Sequence, residues 1–337
     1  GWTSDETGDA VKAALDRRNV RYLLRFLPEP PGADAPMVLR NPPWARAFEV
    51  FAGMIGTPGR NEADPSLLLA VVAPVMFGFM FGDVGQGSVL IAAGLVLGRR
   101  MPVLRLLVPG GVAAVGFGFL FGSVFCREDL IPALWLHPLG EPLTLLAVAL
   151  AGGVVLLLTG LVLDAVQSLW RADGRSWAYR QAGFVVTYLA LLVAIAWRPA
   201  LWAALAGALW YVAGAVRLSH RDRRVEAGIA LAEFVEQIAQ LLVNTVSFAR
   251  VGAFALAHAG LSAAIVGVAE VFGGLGFWVT LILGNLLVLA LEGLVVGIQT
   301  TRLVLFEFFI RFLRGGGRSL KPLEPPRVDW AIVAEKH

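Results

Sequence analysis

The chain has 337 residues and a net charge of +3; 57% of its residues are hydrophobic and only 16% are charged. A soluble domain carries about 25% charged residues, so this composition, with a mean hydropathy of +0.71, excludes an ordinary soluble protein and indicates a polytopic membrane protein. The modest net charge does not suggest a nucleic-acid partner.

The N-terminal segment, 1–64, is polar and becomes rich in Pro and Gly after a stretch at 9–25 that has the pattern of a short amphipathic helix. We interpret 1–64 as a cytoplasmic linker near the membrane surface. The chain starts at Gly1 without an initiator Met or a signal-peptide pattern. We therefore expect a further N-terminal domain to precede this segment in a longer protein.

The hydropathy of 65–313 predicts about eight transmembrane helices, since a span needs roughly 20 apolar residues. The predicted spans are 65–82, 84–99, 102–126, 142–169, 181–197, 199–217, 226–272 and 276–313. A C-terminal tail, 314–337, follows the last span. The predicted fold class is thus an all-α polytopic membrane protein with its transmembrane domain at 65–313.

Arginines in the loops predict the orientation, because cytoplasmic loops carry an excess of Lys and Arg. The loops on one side contain Arg99, Arg100, Arg105, Arg171, Arg175, Arg180, Arg217, Arg221, Arg223 and Arg224. The loops on the other side contain only Arg127 and Arg198. We therefore expect the N-terminal segment and, after eight crossings, the C-terminal tail to be cytoplasmic.

The last two predicted spans are too long for upright helices. At 1.5 Å per residue, 226–272 and 276–313 would reach roughly 70 and 57 Å, against a hydrocarbon core of about 30 Å. An ordinary tilt of about 20° does not absorb this excess. Because a glycine-rich turn at 273–276 separates them, we expect two long antiparallel helices that protrude or are strongly tilted. Such a pair suits a surface wrapped around a round partner.

Each of these two spans carries a carboxylate and an arginine at depth. The polar residues are Glu236, Arg250 and His258 on the first span, and Glu292, Gln299 and Arg302 on the second. A guanidinium keeps its charge and costs at least roughly 2.5–3.5 kcal/mol at bilayer depth. Glu236 and Arg250 share one helix face about 21 Å apart along the axis. Titratable groups at several depths, separated by a fixed cation, are typical of a proton path with a barrier.

Static salt bridges between the two long helices are the structural alternative for these residues. Each arginine, however, stands more than two turns from the carboxylate on its own helix. Asp83 lies beside a Gly-rich turn that could line a cavity, and we count it as a further candidate for the proton path. We expect Glu233, Glu270 and Glu307 near the interfaces, in solvated surface roles.

Two segments echo one another: 77–83 closes the first predicted span and 117–123 closes the third, each with a pair of glycines four residues apart. Such small-xxx-small pairs let helix backbones approach closely, and we interpret them as helix-packing positions.

Several kinds of site are missing from the sequence. There is no G-x-x-x-x-G-K-[ST] phosphate loop, so the chain does not itself bind ATP in that way. With one cysteine, Cys126, and four histidines, we expect no internal disulfide, no metal site and no other cofactor. The long helices show no Gly/Pro unwinding at their midpoints of the kind that marks a secondary-transporter substrate site.

These residues resemble the membrane domain of subunit a of the vacuolar/archaeal (V/A)-type rotary ATPases, which is called subunit I in prokaryotes. The resemblance covers about 41–313 and rests on four stretches, at 41–65, 76–87, 247–262 and 292–309. In the second stretch Gln86 stands where a histidine is commoner in the family.

The resemblance implies roles for individual residues. Arg250 matches the essential arginine of the family and Arg302 its supporting arginine, with Gln299 as their polar neighbour. Glu236 matches the glutamate of the cytoplasmic half-channel. Glu292 matches the glutamate of the opposite half-channel, and His258 matches the histidine near it.

The resemblance also implies an assembly. The chain would be an essential stator subunit that couples proton translocation to ring rotation and to ATP synthesis or hydrolysis. Its eight helices would place the last two, steeply tilted, against a rotor ring of proteolipid subunits. Peripheral stalk subunits would be direct partners, and the central stalk and ATPase head indirect ones, in a prokaryotic plasma membrane.

Two other functions compete with this interpretation. A proton-coupled secondary transporter would use Glu236 and Glu292 as coupling carboxylates and would enclose a substrate cavity within this chain alone. A structural membrane anchor would keep both arginines in static ion pairs, so that Arg250→Lys would leave proton translocation intact.

Overall fold

A computed structural model describes residues 2–3, 7–19, 21–27, 35–38, 41–59, 62–219, 222–309, 316–318 and 320. Within these ranges the regular structure is entirely helical, with two isolated β-bridges and no strand, which confirms the predicted all-α fold. Of the predicted tail, 314–337, only 316–318 and 320 are among the described residues. The end of the eighth predicted span, 310–313, and the loop residue Arg221 lie outside them.

Helices occur at each of the eight predicted spans. The N-terminal segment contains α1 (Asp9–Asp16), a 3-10 turn (Arg46–Phe48) and α2 (Glu49–Ile55). The next helices are α3 (Pro65–Met80), α4 (Val84–Leu97), a 3-10 turn (Pro102–Leu106), α5 (Leu107–Phe121), α6 (Pro142–Trp170), α7 (Gly174–Ala194) and α8 (Ala200–Leu218). The chain continues with α9 (Arg223–Ser247), α10 (Ala249–Phe272), α11 (Gly274–Arg302) and a π-helix (Leu303–Phe308).

Five helical segments in the described residues are long and apolar enough to cross a membrane. They are Pro102–Phe121, Pro142–Trp170, Ala200–Leu218, Arg223–Phe272 and Gly274–Phe308. The apolar helices α3 and α4 are shorter, and α7 begins with a polar stretch that contains Arg175 and Arg180. These lengths make the chain a multi-pass membrane protein, whereas the count of eight spans stays a prediction.

Most predicted boundaries agree with the structure to within about three residues, and two differ by more. The third span was expected to reach residue 126, but α5 ends at Phe121 because Gly122 adopts a left-handed conformation with φ of +77°, which terminates a helix. The fifth was expected from residue 181, but α7 starts at Gly174. Hydropathy does not detect the first turns of α7, because those turns are polar.

The last two helical segments are far longer than a bilayer core. Arg223–Phe272 has 50 residues and Gly274–Phe308 has 35, which corresponds to roughly 75 and 52 Å; we refer to them as the first and second long helices. Gly273 and Gly274 both have positive φ, which glycine adopts without steric cost, and α10 packs against α11 beyond this turn. The predicted antiparallel pair is therefore present, and its tilt in the membrane stays a prediction.

Helix packing brings distant parts of the sequence together around α10. This helix contacts α3, α6 and α11, while α7 and α8 pair with each other and α8 packs on α9. The segments before the first span and after the last also meet: the Gly317 amide donates to the Thr57 carbonyl at 2.9 Å, and the Met37 amide donates to the Arg318 carbonyl at 2.7 Å. The segments that flank the helical domain are thus in direct contact, which agrees with the predicted even number of crossings.

The echoed glycines mark close helix contacts. A Cβ atom built on Gly78 would lie 2.5 Å from the Ala113 carbonyl carbon of α5, and one on Gly118 would lie 2.4 Å from the Val84 nitrogen of α4. Side-chain carbons do not approach other atoms so closely, so α3, α4 and α5 can pack at this distance only with glycine at these positions.

We expect Gly118→Ala to destabilise the helical domain by about 1–3 kcal/mol, the usual cost of overpacking a filled contact. Gly116→Ala is the matched control on the same helix, because its Cβ would meet open space. Thermal unfolding of both variants in one detergent measures the difference. Equal unfolding temperatures for the two variants would show that the α4–α5 contact adjusts freely.

Candidate functional site

Arg250 lies at a break in the first long helix. Helix α9 ends at Ser247 and α10 begins at Ala249, so that Phe248, which is 1% exposed, separates two regular segments without any Gly or Pro. A Cβ built on Gly153 of α6 would lie 2.3 Å from the Phe248 Cβ, so this glycine admits the Phe248 side chain. The Phe248 side chain therefore packs against α6 two residues before Arg250.

The Arg250 guanidinium reaches across to the second long helix. Its Nη1 donates a hydrogen bond to the Gln299 Oε1 at 3.3 Å, so two of the predicted site residues are in direct contact. Arg302 follows Gln299 by one turn and is exposed. In the described part of the chain, the side chains of Arg250 and Arg302 form no ion pair within 4.0 Å. This geometry disagrees with the alternative of a static salt-bridge lock.

Arg302 opens onto a large apolar groove of about 1110 Å³. Its walls come from α2, α3, α5 and the second long helix and include Phe51, Phe77, Leu294 and Phe306. The arginine is thus a cation at the edge of an apolar surface, and the π-helix begins directly after it.

His258 and Glu292 form the second contact between the long helices. The His258 Nδ1 lies 2.5 Å from the Glu292 Oε2, and their side chains are only 5% and 18% exposed. The Phe81 ring packs on the imidazole at a centroid distance of 5.0 Å. Among the described residues, the His258 Nε2 and the nearby Ser262 Oγ are buried without a hydrogen-bond partner. Buried polar atoms of this kind are typical positions for ordered water.

Asp83 caps the N-terminus of α4 and is fully buried. Its carboxylate accepts hydrogen bonds from the Gln86 backbone N–H at 2.8 Å and the Ser123 hydroxyl at 2.8 Å. It also accepts from the backbone N–H groups of Phe125 and Cys126, each at 3.0 Å. Phe125 and Cys126 have positive φ, which is unfavourable for residues with side chains. These four hydrogen bonds assign Asp83 to the turn structure, so its predicted role in a proton path gains no support from this geometry.

The Asp83 turn is linked to the second long helix through Gln86. The Gln86 Nε2 donates to the Asn285 Oδ1 at 2.9 Å, and the Asn285 Nδ2 donates to the Phe125 carbonyl at 3.1 Å. The Cys126 thiol lies 3.4 Å from the Asn285 Oδ1. Asn285 and Cys126 were not among the predicted site residues, because their contacts join positions more than 150 residues apart.

Glu236 lies on α9, far from the other predicted residues. It lines a polar pocket of about 490 Å³ together with Arg180, Glu233, Gln237 and Gln240. Arg180 forms an ion pair with Glu233 and donates from Nε to the Tyr211 hydroxyl at 3.0 Å.

A row of polar side chains on α9 leads from this pocket towards Arg250. The Gln240 Nε2 donates to the Asn244 Oδ1 at 3.0 Å, one turn further along α9. Asn244 precedes Arg250 by about 1.7 helical turns. Glu236 itself is separated from Arg250 by fourteen residues, or about 21 Å.

Glu307 is a buried carboxylate that the sequence interpretation placed at the surface. We expected it in a solvated surface role, but the structure buries it to 6% exposure, and its Oε2 has no hydrogen-bond partner among the described residues. It lies in the π-helix, about one turn after the buried Leu303 and Val304.

The loop after α5 carries one fixed ion pair. Arg127 donates to Asp129 from Nε at 3.0 Å and from Nη2 at 2.5 Å, and these hydrogen bonds lower the pKa of the exposed Asp129 carboxyl. In the part of the chain that the structure describes, no group of three or more His, Cys, Asp or Glu side chains is arranged to hold a metal ion.

Comparisons with known proteins give one consistent result. A-type ATP synthase subunit I of Thermococcus kodakarensis is 28% identical over 322 residues, covering 87% of this chain and 48% of that protein. The protein of the same description from Pyrococcus horikoshii is 27% identical over 319 residues, with the same coverage. The one from Methanocaldococcus jannaschii is 24% identical over 383 residues, covering 97% of this chain and 54% of its own length.

The chain therefore spans about half the length of the relatives that it matches. No family model matches it. The relatives confirm the resemblance to subunit a, or subunit I, of the V/A-type rotary ATPases.

Proposed function

We propose that this chain is the membrane stator subunit of a V/A-type rotary ATPase or ATP synthase and forms two proton half-channels against a rotor ring. The observation that carries the proposal is the state of Arg250. It is a permanent cation in an over-long membrane helix, hydrogen-bonded to the neutral Gln299 amide and not ion-paired to a described carboxylate. A cation in this state is available to a carboxylate that arrives and leaves.

The proposed mechanism follows from the cost of charge in lipid. A rotor carboxylate cannot pass through the hydrocarbon core while ionised, so it must take up a proton from one half-channel before the ring turns. Near Arg250 the ionised form is favoured, because an adjacent cation lowers a carboxylate pKa by about 1–3 units. The proton is then released into the other half-channel. The same cation blocks direct proton transfer between the half-channels, which would dissipate the gradient without rotation.

The two groups of titratable residues lie on opposite sides of Arg250 along the first long helix. Glu236 and its polar pocket precede Arg250 by about 21 Å, and His258, paired with Glu292, follows it by about 12 Å. This separation supports assigning Glu236 to the cytoplasmic half-channel and the His258–Glu292 pair to the opposite one. The proton would pass between them only on the rotor carboxylate.

The proposal names partners by the chemistry that they supply. The rotor proteolipids provide the mobile carboxylates, and peripheral stalk subunits keep the stator from turning with the ring. The central stalk and the ATPase head are coupled indirectly, and the loop arginines favour a cytoplasmic location for both chain ends in a prokaryotic plasma membrane.

Cysteine labelling tests the two half-channels. In a Cys126→Ser background, we expect Glu236→Cys to react with a membrane-impermeant thiol reagent added from the cytoplasmic side, and Glu292→Cys to react from the opposite side. The reaction is measured in right-side-out and inverted vesicles that contain the assembled complex.

Two buried positions serve as controls for the labelling. Leu241 on α9 and Val288 on α11 are both 0% exposed, so cysteines placed there should react from neither side. Labelling of 236 and 292 from reversed sides would refute the half-channel assignment, and labelling of both from one side would refute two separate half-channels.

A further inference from the structure

The α7–α8 helix pair carries a basic recess that the proposed half-channels do not use. It has a volume of about 510 Å³, and its lining includes Arg175 from the first turn of α7 and Arg217 from the last turn of α8. The rest of its lining is apolar or aromatic, and no carboxylate is among the described residues that form it. The recess is therefore a candidate binding site for an anion.

Close packing of α7 on α8 explains why the two arginines converge. A Cβ atom built on Gly214 would lie 1.7 Å from the Tyr179 carbonyl oxygen, so the backbones of these two consecutive, antiparallel helices touch there. Arg175 precedes Tyr179 by four residues, and Arg217 follows Gly214 by three. Because the helices run in opposite directions, both arginines lie beyond this contact on the same side, by roughly 6 and 4.5 Å along the axes.

The positive charge of this recess is not compensated within the described part of the chain. Neither Arg175 nor Arg217 forms an ion pair within 4.0 Å there. Asp173, the nearest carboxylate to Arg175 along the chain, is exposed and lies outside the lining. The neighbouring Arg180, in contrast, is paired with Glu233. Two like charges at one recess repel each other, and an anion that binds both relieves this repulsion.

The recess lies at the level of the membrane–water interface. Arg217 is in the last turn of α8, a helix long and apolar enough to cross a membrane. The half-exposed rings of Tyr179 and Trp210 line the recess, and such rings are typical of the interface. The excess of loop arginines predicts that this end of the helix pair is cytoplasmic, and the cytoplasmic leaflet carries anionic lipids. An anionic lipid headgroup thus matches the recess in both charge and position.

We propose that this recess binds the headgroup of an anionic phospholipid from the cytoplasmic leaflet. Arg175 and Arg217 donate charge-assisted hydrogen bonds to its phosphate oxygens. The exposed Leu205 and Leu209 lie further along α8 towards the membrane interior and offer apolar surface to the acyl chains. The site uses no residue of the proposed proton path, so the inference does not depend on the stator function.

Photo-crosslinking identifies the ligand. The full-length protein, together with the subunits that co-purify with it, is reconstituted in vesicles that contain a trace of phosphatidylglycerol with a photoreactive group near its headgroup. Mass spectrometry of the crosslinked peptides should find the label on α7 and α8 at the recess. Unlabelled phosphatidylglycerol should compete with the label more strongly than phosphatidylcholine. Equal competition by the two lipids would indicate an unselective lipid contact, and competition by inorganic phosphate would indicate a site for a soluble anion; either result overturns the inference.

Substitution of the arginines tests the recess itself. We expect Arg175→Gln and Arg217→Gln each to reduce crosslinking at the recess roughly fivefold, the usual effect of one basic residue on binding to anionic lipid, and the double variant to reduce it further. Arg198→Gln removes an exposed arginine from the connection at the opposite end of the same helix pair, so it is the matched control and should leave crosslinking unchanged. Unchanged crosslinking in the double variant overturns the inference. If the double variant does not fold, the lipid competition on the unmodified protein decides.

Discussion

Replacing Arg250 with alanine is expected to abolish ATP-driven proton pumping, by a hundredfold or more, while the complex still assembles. A preorganised charge that stabilises a reacting group is worth roughly 10²–10³ in rate, and here the same charge also separates the half-channels. Arg250 is partly exposed and its described side-chain hydrogen bond is to the uncharged Gln299 amide, so we expect its removal to leave the helix packing intact. The measurement is acidification of vesicles per assembled complex, with ATP hydrolysis followed in the same sample.

Two further variants make the Arg250 result specific. Arg198→Ala removes an exposed loop arginine and is expected to pump normally. Arg250→Lys keeps the charge but loses the planar set of donors, and we expect it to lose most of the pumping as well. Normal pumping by assembled Arg250→Ala would refute the stator function and restore the transporter and anchor alternatives. Normal pumping by Arg250→Lys alone would show that charge without geometry is sufficient.

The sequence could predict the helices because their signal is local. Long apolar runs are needed to cross a bilayer, and a glycine pair between two such runs leaves a turn as the only connection, as Gly273 and Gly274 provide. The contact of Arg250 with Gln299 was also within reach, since both are polar residues at depth on neighbouring antiparallel helices.

The sequence could not predict contacts that depend on irregular backbone or on long-range packing. The break at Phe248 has no Gly or Pro to announce it, and no local pattern indicates the π-helix that contains the buried Glu307. Asp83 was a candidate for the proton path because it is a carboxylate beside a Gly-rich turn. Three of its four hydrogen-bond donors come from a turn about 40 residues later, which no local pattern could reveal.

Glu292→Gln is expected to reduce proton pumping roughly a hundredfold, the scale on which a positioned proton-transfer group acts. Glutamine keeps the size of the side chain and the possibility of a hydrogen bond to the His258 Nδ1, 2.5 Å away in the unmodified chain, but it cannot exchange a proton. His258→Ala leaves the carboxyl in place and removes only its imidazole partner, so we expect a smaller loss of roughly tenfold. Vesicle acidification per assembled complex measures both.

The double variant tests whether the pair acts as one relay. If the proton must pass through both groups, Glu292→Gln with His258→Ala should pump no worse than Glu292→Gln alone, because the members of one unit do not contribute additively. Losses that multiply would mean that the two groups act independently. Glu270→Gln controls for the loss of a carboxylate elsewhere on the long helices. A complex that fails to assemble with Glu292→Gln would instead assign the buried pair to helix packing, since the contact joins α10 to α11 beside the Phe81 ring.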